Sequence, residues 1–181
     1  MTRWRTSPLL MLLVVLVAGC GGGGSSGSSS TSDWANGFCS AITSWTTSIQ
    51  TAGKSLQGGN VSEKSLKSAA NDIKSATSTF ADDLKGLGKP DTDSGQQAKE
   101  SVDQLSSQIK SDASEIEQAV EGASGLSGAQ KALTTVGSTL SKMSSQISST
   151  LSELNGLDPK GDLQKAFNNA DSCKSLAKSG G

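Results

Sequence analysis

The fold is decided most clearly by residues 126–154, which read LSGAQKALTTVGSTLSKMSSQISSTLSEL. Apolar residues recur along this stretch at steps of three and four. They are Leu126, Ala129, Leu133, Val136, Leu140, Met143, Ile147, Leu151 and Leu154. Such steps place side chains on one face of an α-helix, whereas a half-buried strand would alternate every second residue. The stretch therefore predicts a long amphipathic helix.

The same spacing recurs through the rest of the chain. It predicts helices near residues 33–57, 60–87, 92–121, 127–155 and 159–178. Asp33 is the expected N-cap of the first helix, Asn60–Glu63 a capping box for the second, and Asp158–Pro159 the start of the fifth. Short links make consecutive helices antiparallel neighbours. We therefore predict one all-α domain at residues 33–179, an elongated antiparallel up-and-down bundle of four long helices plus a shorter fifth.

The composition removes several functional classes. The 181 residues include no histidine, which excludes Ser-His-Asp and Cys-His catalysis and imidazole metal ligands. The formal net charge is -1 and the sequence pI is about 5.4, so the chain has no excess of the basic residues with which proteins bind nucleic acids. We expect no catalytic residues, no metal, no cofactor and no nucleic-acid partner.

The first twenty residues have the features of an export signal. Two arginines precede the apolar residues 9–17, a run too short for a membrane span of about 20 residues. The run ends in Val17-Ala18-Gly19-Cys20, which resembles the lipobox of bacterial lipoprotein precursors, with Val17 in place of the more usual Leu. The resemblance implies a signal peptide of residues 1–19, diacylglyceryl transfer to Cys20 and cleavage before it. The alternative is an ordinary signal peptide with an incidental cysteine.

Residues 20–32 are predicted to be a lipidated cysteine and a flexible tether. After Cys20 this segment contains only glycine, serine and one threonine. A flexible linker of twelve residues spans about 20 Å on average, and two acyl chains hold a protein stably on a bilayer. We expect the protein at the extracytoplasmic face of the cell membrane, anchored by lipid. Whether the tether hydroxyls are glycosylated is left open.

Two cysteines remain once the lipobox takes Cys20. Cys39 lies in the first predicted helix and Cys173 in the last. Because exported proteins meet an oxidising environment, we predict that the two form a disulfide. The chain-entropy model assigns about 5 kcal/mol of stabilisation to so long a loop. The alternative is two free buried thiols; a redox-active pair is disfavoured by the absence of a C-x-x-C spacing.

Charge is unevenly distributed among the predicted helices. No charged residue lies within residues 34–53, and Lys142 is the only one within residues 132–152. We favour the interpretation that the first and fourth helices neighbour each other and are shielded by the charged helices. In the other interpretation, they offer a neutral surface to a glycan, a cell-wall polymer or a partner helix. The candidate partner surface comprises Ser138, Ser141, Ser145 and Ser148.

Two further patterns have a structural and a functional interpretation. Acidic residues near the end of the third helix are predicted to form a solvated face rather than an acid/base pair or a weak site for a cation or a basic partner. They are Asp112, Glu115, Glu117 and Glu121. Trp34, Phe38 and Trp45 could stack on a sugar, but their spacing places them on the apolar face. We predict that these aromatic residues pack in the core.

Together these observations predict a lipid-anchored envelope protein whose helical bundle is a non-enzymatic binding or scaffolding module. Its expected partners are the membrane, through the anchor, and an envelope protein or a cell-wall glycan. An alternative is a carrier of a lipid or another apolar ligand between the helices. A less favoured alternative is an envelope enzyme that works without histidine.

Overall fold

The computed structural model describes residues 29–56, 62–158 and 160–179. The predicted signal peptide, the lipidation site Cys20 and the first part of the predicted tether lie outside the described residues. Within them the chain forms α-helices and no strand, which confirms the predicted all-α helical bundle. The helices are α1 (Thr31–Lys54), α2 (Glu63–Gly86), α3 (Gly95–Glu121), α4 (Gly125–Leu157), α5 (Asp162–Asn169) and α6 (Asp171–Ser179).

The helices α2, α3 and α4 pack side by side as consecutive antiparallel neighbours. The direction is evident from polar pairs whose residue numbers rise on one helix and fall on the next. These pairs are Lys74–Glu117 and Lys110–Asp82 between α2 and α3, and Ser101–Glu153 and Lys142–Asp112 between α3 and α4. Short connections therefore set the topology, as the sequence predicted.

Helix α1 packs against α2 on one side and against α5 and α6 on the other. Both α1 and α4 are described over their full length, and no Cα atom of one lies within 8 Å of a Cα atom of the other. The favoured interpretation that these two neutral helices neighbour each other is therefore wrong. The two C-terminal helices take the place beside α1 that the fourth helix was expected to occupy.

Five aromatic residues form two clusters in the core. The Phe167 ring of α5 meets Trp34 and Phe38 edge-on, with ring centroids 6.0 Å and 5.8 Å away. Trp45 stacks on Phe80 of α2 at 5.6 Å. All five side chains are buried, so the prediction that the aromatic residues of α1 pack in the core is confirmed. The clusters attach α1 to α5 near one end and to α2 further along.

The N-caps of the first two helices are serines and not the residues that the sequence predicted. The Ser30 Oγ accepts a hydrogen bond from the Asp33 backbone N–H at 3.2 Å and donates one to Asp33 Oδ2 at 2.6 Å. Ser30 is thus the N-cap of α1, and the expected cap, Asp33, lies in the first turn. In α2 the reciprocal capping pair is Ser62 and Ser65, two residues beyond the expected box. Both predicted caps are wrong because α1 and α2 begin at Thr31 and Glu63, where the serine that precedes each helix accepts a backbone N–H of the first turn.

The predicted fifth helix is divided into α5 and α6. Ala170 has an extended backbone, with ψ of 123°, and ends α5. Its carbonyl then accepts the Lys174 N–H at 3.1 Å in the first turn of α6. The break leaves Cys173 facing α1, where it forms the predicted disulfide with Cys39 across a Cα–Cα distance of 5.0 Å. The last helix is thereby covalently joined to the first.

Ser29 fixes the start of the domain to the connection between α2 and α3. Its N–H donates to the Lys89 carbonyl at 3.2 Å, and its own carbonyl accepts the Asp91 N–H at 3.0 Å. The Ser29 hydroxyl donates to the Leu87 carbonyl at 3.0 Å, and the Thr31 hydroxyl donates to the Asp91 carbonyl at 3.2 Å. The folded domain therefore begins four residues earlier than expected, within the segment predicted to be tether.

Candidate binding surface

The serines predicted as a partner surface lie on the exposed side of α4. Each hydroxyl donates a hydrogen bond to a carbonyl of the preceding turn of its own helix. The pairs are Ser138 to Thr135, Ser141 to Gly137, Ser145 to Ser141 and Ser148 to Ser144. Because these hydroxyl protons are already used, the face offers a partner small side chains and lone pairs rather than free donors.

The single charge in the middle of α4 is directed away from this face. Lys142 Nζ lies 2.7 Å from Asp112 Oδ1 and 3.9 Å from Glu115 Oε2, both on α3. The hydrogen bond to Asp112, followed by its charge, raises the pKa of Lys142 above the ordinary value of a lysine. The lysine therefore stays cationic and paired, and the serine face stays neutral.

Asp112 departs from the prediction of a solvated acidic face. Its side chain is buried, whereas that of Glu117 is half-buried. Glu117 Oε1 lies 2.6 Å from Lys74 Nζ of α2. The four acids near the end of α3 thus do not form one site. Asp112 could have been recognised in the sequence, because it lies at helical spacing between the apolar residues Ile109 and Ile116.

A cleft of about 410 Å³ lies between α1 and α2. Trp45 and Phe80 lie at its base, but they are only 5% and 1% exposed, so neither ring is available for stacking on a sugar. Asp72 and Asp83 contribute carboxylates. The remaining polar lining is hydroxyl groups, from Ser44, Thr47, Ser48, Thr51, Ser75 and Thr79. The cleft is therefore a polar surface groove over a filled core.

A second groove, of about 470 Å³, lies beside the disulfide and is bordered by α4, α5 and α6. Leu151, Phe167, Leu176 and the Cys39–Cys173 bridge supply its apolar lining. Its polar lining consists of Asn155, Gln164, Asn168 and Lys174. A groove of this size and mixed polarity falls in the range that small ligands occupy in proteins.

Comparison with known proteins gives no family for the chain. No family model, curated protein or solved structure matches it. Within the part of the chain that the structure describes, no helix is both long and apolar enough to cross a bilayer. The same residues contain no group of three His, Cys, Asp or Glu side chains that could hold a metal ion.

Proposed function

We propose that the protein is a lipid-anchored protein of the cell envelope whose helical bundle is a non-enzymatic binding or scaffolding module. The observation that carries the binding role is the neutral face of α4, which is exposed along the helix. The one charged side chain in the middle of α4, Lys142, pairs with Asp112 of α3. Interface cores are depleted of charged residues, and this face has the same property. The anchoring role rests on the lipobox resemblance that ends at Cys20.

The position of Ser29 supports a definite orientation for such a protein. Ser29 lies nine positions after Cys20, and nine fully extended Cα–Cα steps span about 30 Å. An anchor at Cys20 would therefore hold the α2–α3 connection close to the membrane. Helix α4, with 33 residues, is about 50 Å long, so the α3–α4 connection would project away from it.

The anchor is tested by growing the producing cells with an alkyne-bearing fatty acid and isolating the protein. We expect label in the wild type, none in Cys20→Ser, and recovery of the wild type in the detergent phase after phase separation. A matched control, Cys39→Ser, removes a different cysteine and should retain the label. Recovery of unlabelled wild type with Cys20 intact in the aqueous phase would contradict the anchor.

The binding role is tested by placing charge on the neutral face. We expect the triple variant Ser141→Lys, Ser145→Lys, Ser148→Lys to keep the unfolding midpoint of the wild type and to lose envelope partners recovered by cross-linking in intact cells. The matched control places three lysines on the exposed side of α3, at Ser107, Ser111 and Ser114. Equal recovery of partners with both variants would refute a binding role for this face.

A carrier of an apolar ligand is the second candidate, and the groove beside the disulfide supports it. Leu151 and Leu176, which are half-buried, could contact an acyl chain there, with polar groups around it and the buried Phe167 ring behind them. A fluorescent fatty acid titrated into the purified protein should bind to the wild type and bind more weakly to Leu151→Asp. Failure of the wild type to bind would remove this candidate and leave the scaffolding proposal intact.

A further inference from the structure

The cleft between α1 and α2 is long and narrow, with a carboxylate at each end. It extends from Ala41 to Ala52 on α1 and from Asp72 to Asp83 on α2. Both spans are eleven residue steps, or about 16 Å of helix. A volume of about 410 Å³ over that length corresponds to a mean cross-section of about 25 Å². Because an α-helix with its side chains is about 10–12 Å across, the cleft has room for a single extended chain and not for a helix.

The charge of the cleft comes from α2 alone. Asp72 and Asp83 are exposed, and neither forms an ion pair with a described residue. Lys74, which lies between them in the sequence, pairs with Glu117 of α3 and not with either aspartate. On the other wall, residues 34–53 of α1 include no charged residue. The cleft is therefore negative at both ends, and no lysine among its described lining residues compensates that charge.

The walls between the two carboxylates supply hydrogen-bond acceptors. Thr47 and Thr51 donate their hydroxyl protons to carbonyls of their own helix at 2.9 Å, so that only oxygen lone pairs are left for a ligand. Four more hydroxyls line the walls, those of Ser44, Ser48, Ser75 and Thr79. The apolar part of the lining includes three alanines, Ala41, Ala52 and Ala76. Acceptors beside small apolar groups suit a ligand in which hydrogen-bond donors alternate with methylene groups.

The same features disfavour other classes of ligand. An anion would meet two carboxylates and no lysine. A divalent cation needs several oxygen ligands around one point, whereas the two carboxylates stand at opposite ends of the cleft. A sugar would find no aromatic face, because the rings of Trp45 and Phe80 are buried. A purely apolar chain would take both carboxylates out of water without pairing them.

We propose that the cleft binds a linear polyamine, a chain of protonated amines joined by short methylene segments. Thirteen bonds separate the terminal nitrogens of spermine, and single bonds of about 1.5 Å in a zigzag give a span of about 16 Å. Its two terminal ammonium groups therefore reach Asp72 and Asp83 together, each through a charge-assisted hydrogen bond. The inner ammonium groups then lie between the hydroxyls of the two walls. A lysine-rich peptide has the same charges, but its backbone and side groups are wider than a single chain.

The test is calorimetric titration of spermine into the protein isolated from its producing cells in a non-ionic detergent. We expect one spermine per chain at low salt, and weaker binding as salt is added, because the contacts join exposed charges. The variant Asp72→Asn, Asp83→Asn should bind about tenfold more weakly, since two exposed ion pairs are lost. The matched control, Glu100→Gln, Glu121→Gln, removes the same charge from exposed positions of α3 and should bind as the wild type does.

Two further measurements separate this site from general attraction to an acidic protein. Putrescine, a diamine too short to reach both carboxylates, should bind about tenfold more weakly than spermine. Ser48→Lys places an ammonium group in the cleft from the α1 wall and should also weaken spermine binding. Ser48, Asp72 and Asp83 are all exposed, so these variants should keep the unfolding midpoint of the wild type.

Failure of the wild type to bind spermine would overturn the proposal. An equal loss of binding in the α2 and α3 double variants, or putrescine binding as tight as that of spermine, would overturn it as well. Tighter binding of tetralysine than of spermine would refute the polyamine and assign the cleft to a basic peptide. None of these results bears on the lipid anchor or on the neutral face of α4, which are tested separately.

Discussion

Lys142 of α4 holds the carboxylate of Asp112, a residue of α3 that is 3% exposed, through a hydrogen bond of 2.7 Å to Oδ1. Among the described residues, no hydrogen-bond partner is found for the buried Oδ2 of the same carboxylate. The lysine is therefore the principal compensation for a charge that is withdrawn from water. The pair also keeps the exposed side of α4 neutral.

Removal of the lysine should destabilise the bundle more than its exposed position suggests. In Lys142→Met the Asp112 carboxylate is left buried without its partner, a situation that costs about 1–3 kcal/mol for the buried group. Urea unfolding should show this loss, and the double variant Asp112→Leu, Lys142→Met should recover much of it. Lys131→Met, on the same side of α4, is the control. An equal loss in the control would refute the explanation.

The disulfide should contribute a large share of the stability. Cys39 and Cys173 are separated by 134 residues, and removal of such a bridge costs about 2–5 kcal/mol. We expect Cys39→Ala, Cys173→Ala to unfold at lower urea than the wild type. Wild-type protein treated with a reductant should match the double variant. Two titratable thiols from this pair in unreduced, denatured wild type would contradict the bridge.

Stability should fall in acid partly because of Asp158. Its carboxylate accepts the Leu163 N–H at 2.8 Å and the Lys160 N–H at 3.1 Å, and these backbone hydrogen bonds, that of Leu163 foremost, lower the pKa of Asp158. Because the folded pKa is below the unfolded value of about 3.9, the stabilisation is complete above that value. It is lost as the pH falls through the folded pKa.

The variant Asp158→Asn should accordingly be less stable than the wild type at pH 7, and the difference should shrink as the pH falls below about 4. The free energy of unfolding measured by urea at several pH values checks this. A difference between wild type and Asp158→Asn that is constant with pH would contradict the assignment.

The indole N–H of Trp34 should have a measurable role apart from its ring. Nε1 donates to the Gly88 carbonyl at 3.2 Å, which links α1 to the α2–α3 connection. Trp34→Phe keeps an aromatic ring but leaves that carbonyl without its donor, at a cost of about 1 kcal/mol. Trp34→Ala also leaves a cavity and should cost about 3–5 kcal/mol. Thermal unfolding of both variants checks these values, and a loss of stability in Trp34→Phe as large as that in Trp34→Ala would contradict them.

Gly95 should not tolerate a side chain. A Cβ atom there would lie 2.1 Å from the Pro90 carbonyl oxygen, which is a backbone atom that cannot rotate away. We expect Gly95→Ala to lose about 1–3 kcal/mol of stability through this overlap. Gly53→Ala is the control, because nothing lies within 4 Å of its Cβ position. It should leave the stability unchanged or raise it by up to about 1 kcal/mol. The reverse order would contradict the packing.

Helical periodicity was sufficient to predict the architecture, because the four long apolar stripes each demand burial on one face. The bridge between Cys39 and Cys173 was predicted separately, from the number of cysteines and the expectation of an oxidising environment. Periodicity did not predict which helices would meet. That depends on the break at Ala170, where an extended backbone divides an otherwise continuous helical pattern and lets α5 and α6 pack against α1.

The candidate surface was predicted in part. The exposure of Ser141 and Ser145 followed from their position between apolar residues, but the bonding of their hydroxyls to their own helix did not. The role of Lys142 depends on Asp112, which belongs to a different helix. Spacing within one segment does not carry such information, because only the packing of α3 against α4 brings the two side chains together.

The bridge between the first and last helices also determines how the protein responds to proteases. A single cut in any connection between Cys39 and Cys173 leaves both fragments in one covalent molecule. A cut that precedes Cys39 separates the whole bundle from whatever holds the N-terminus. If Cys20 carries the proposed lipid, one cut releases the bundle from the membrane only when it falls in the N-terminal segment. A single nick between the two cysteines leaves a protein whose damage becomes visible only after reduction.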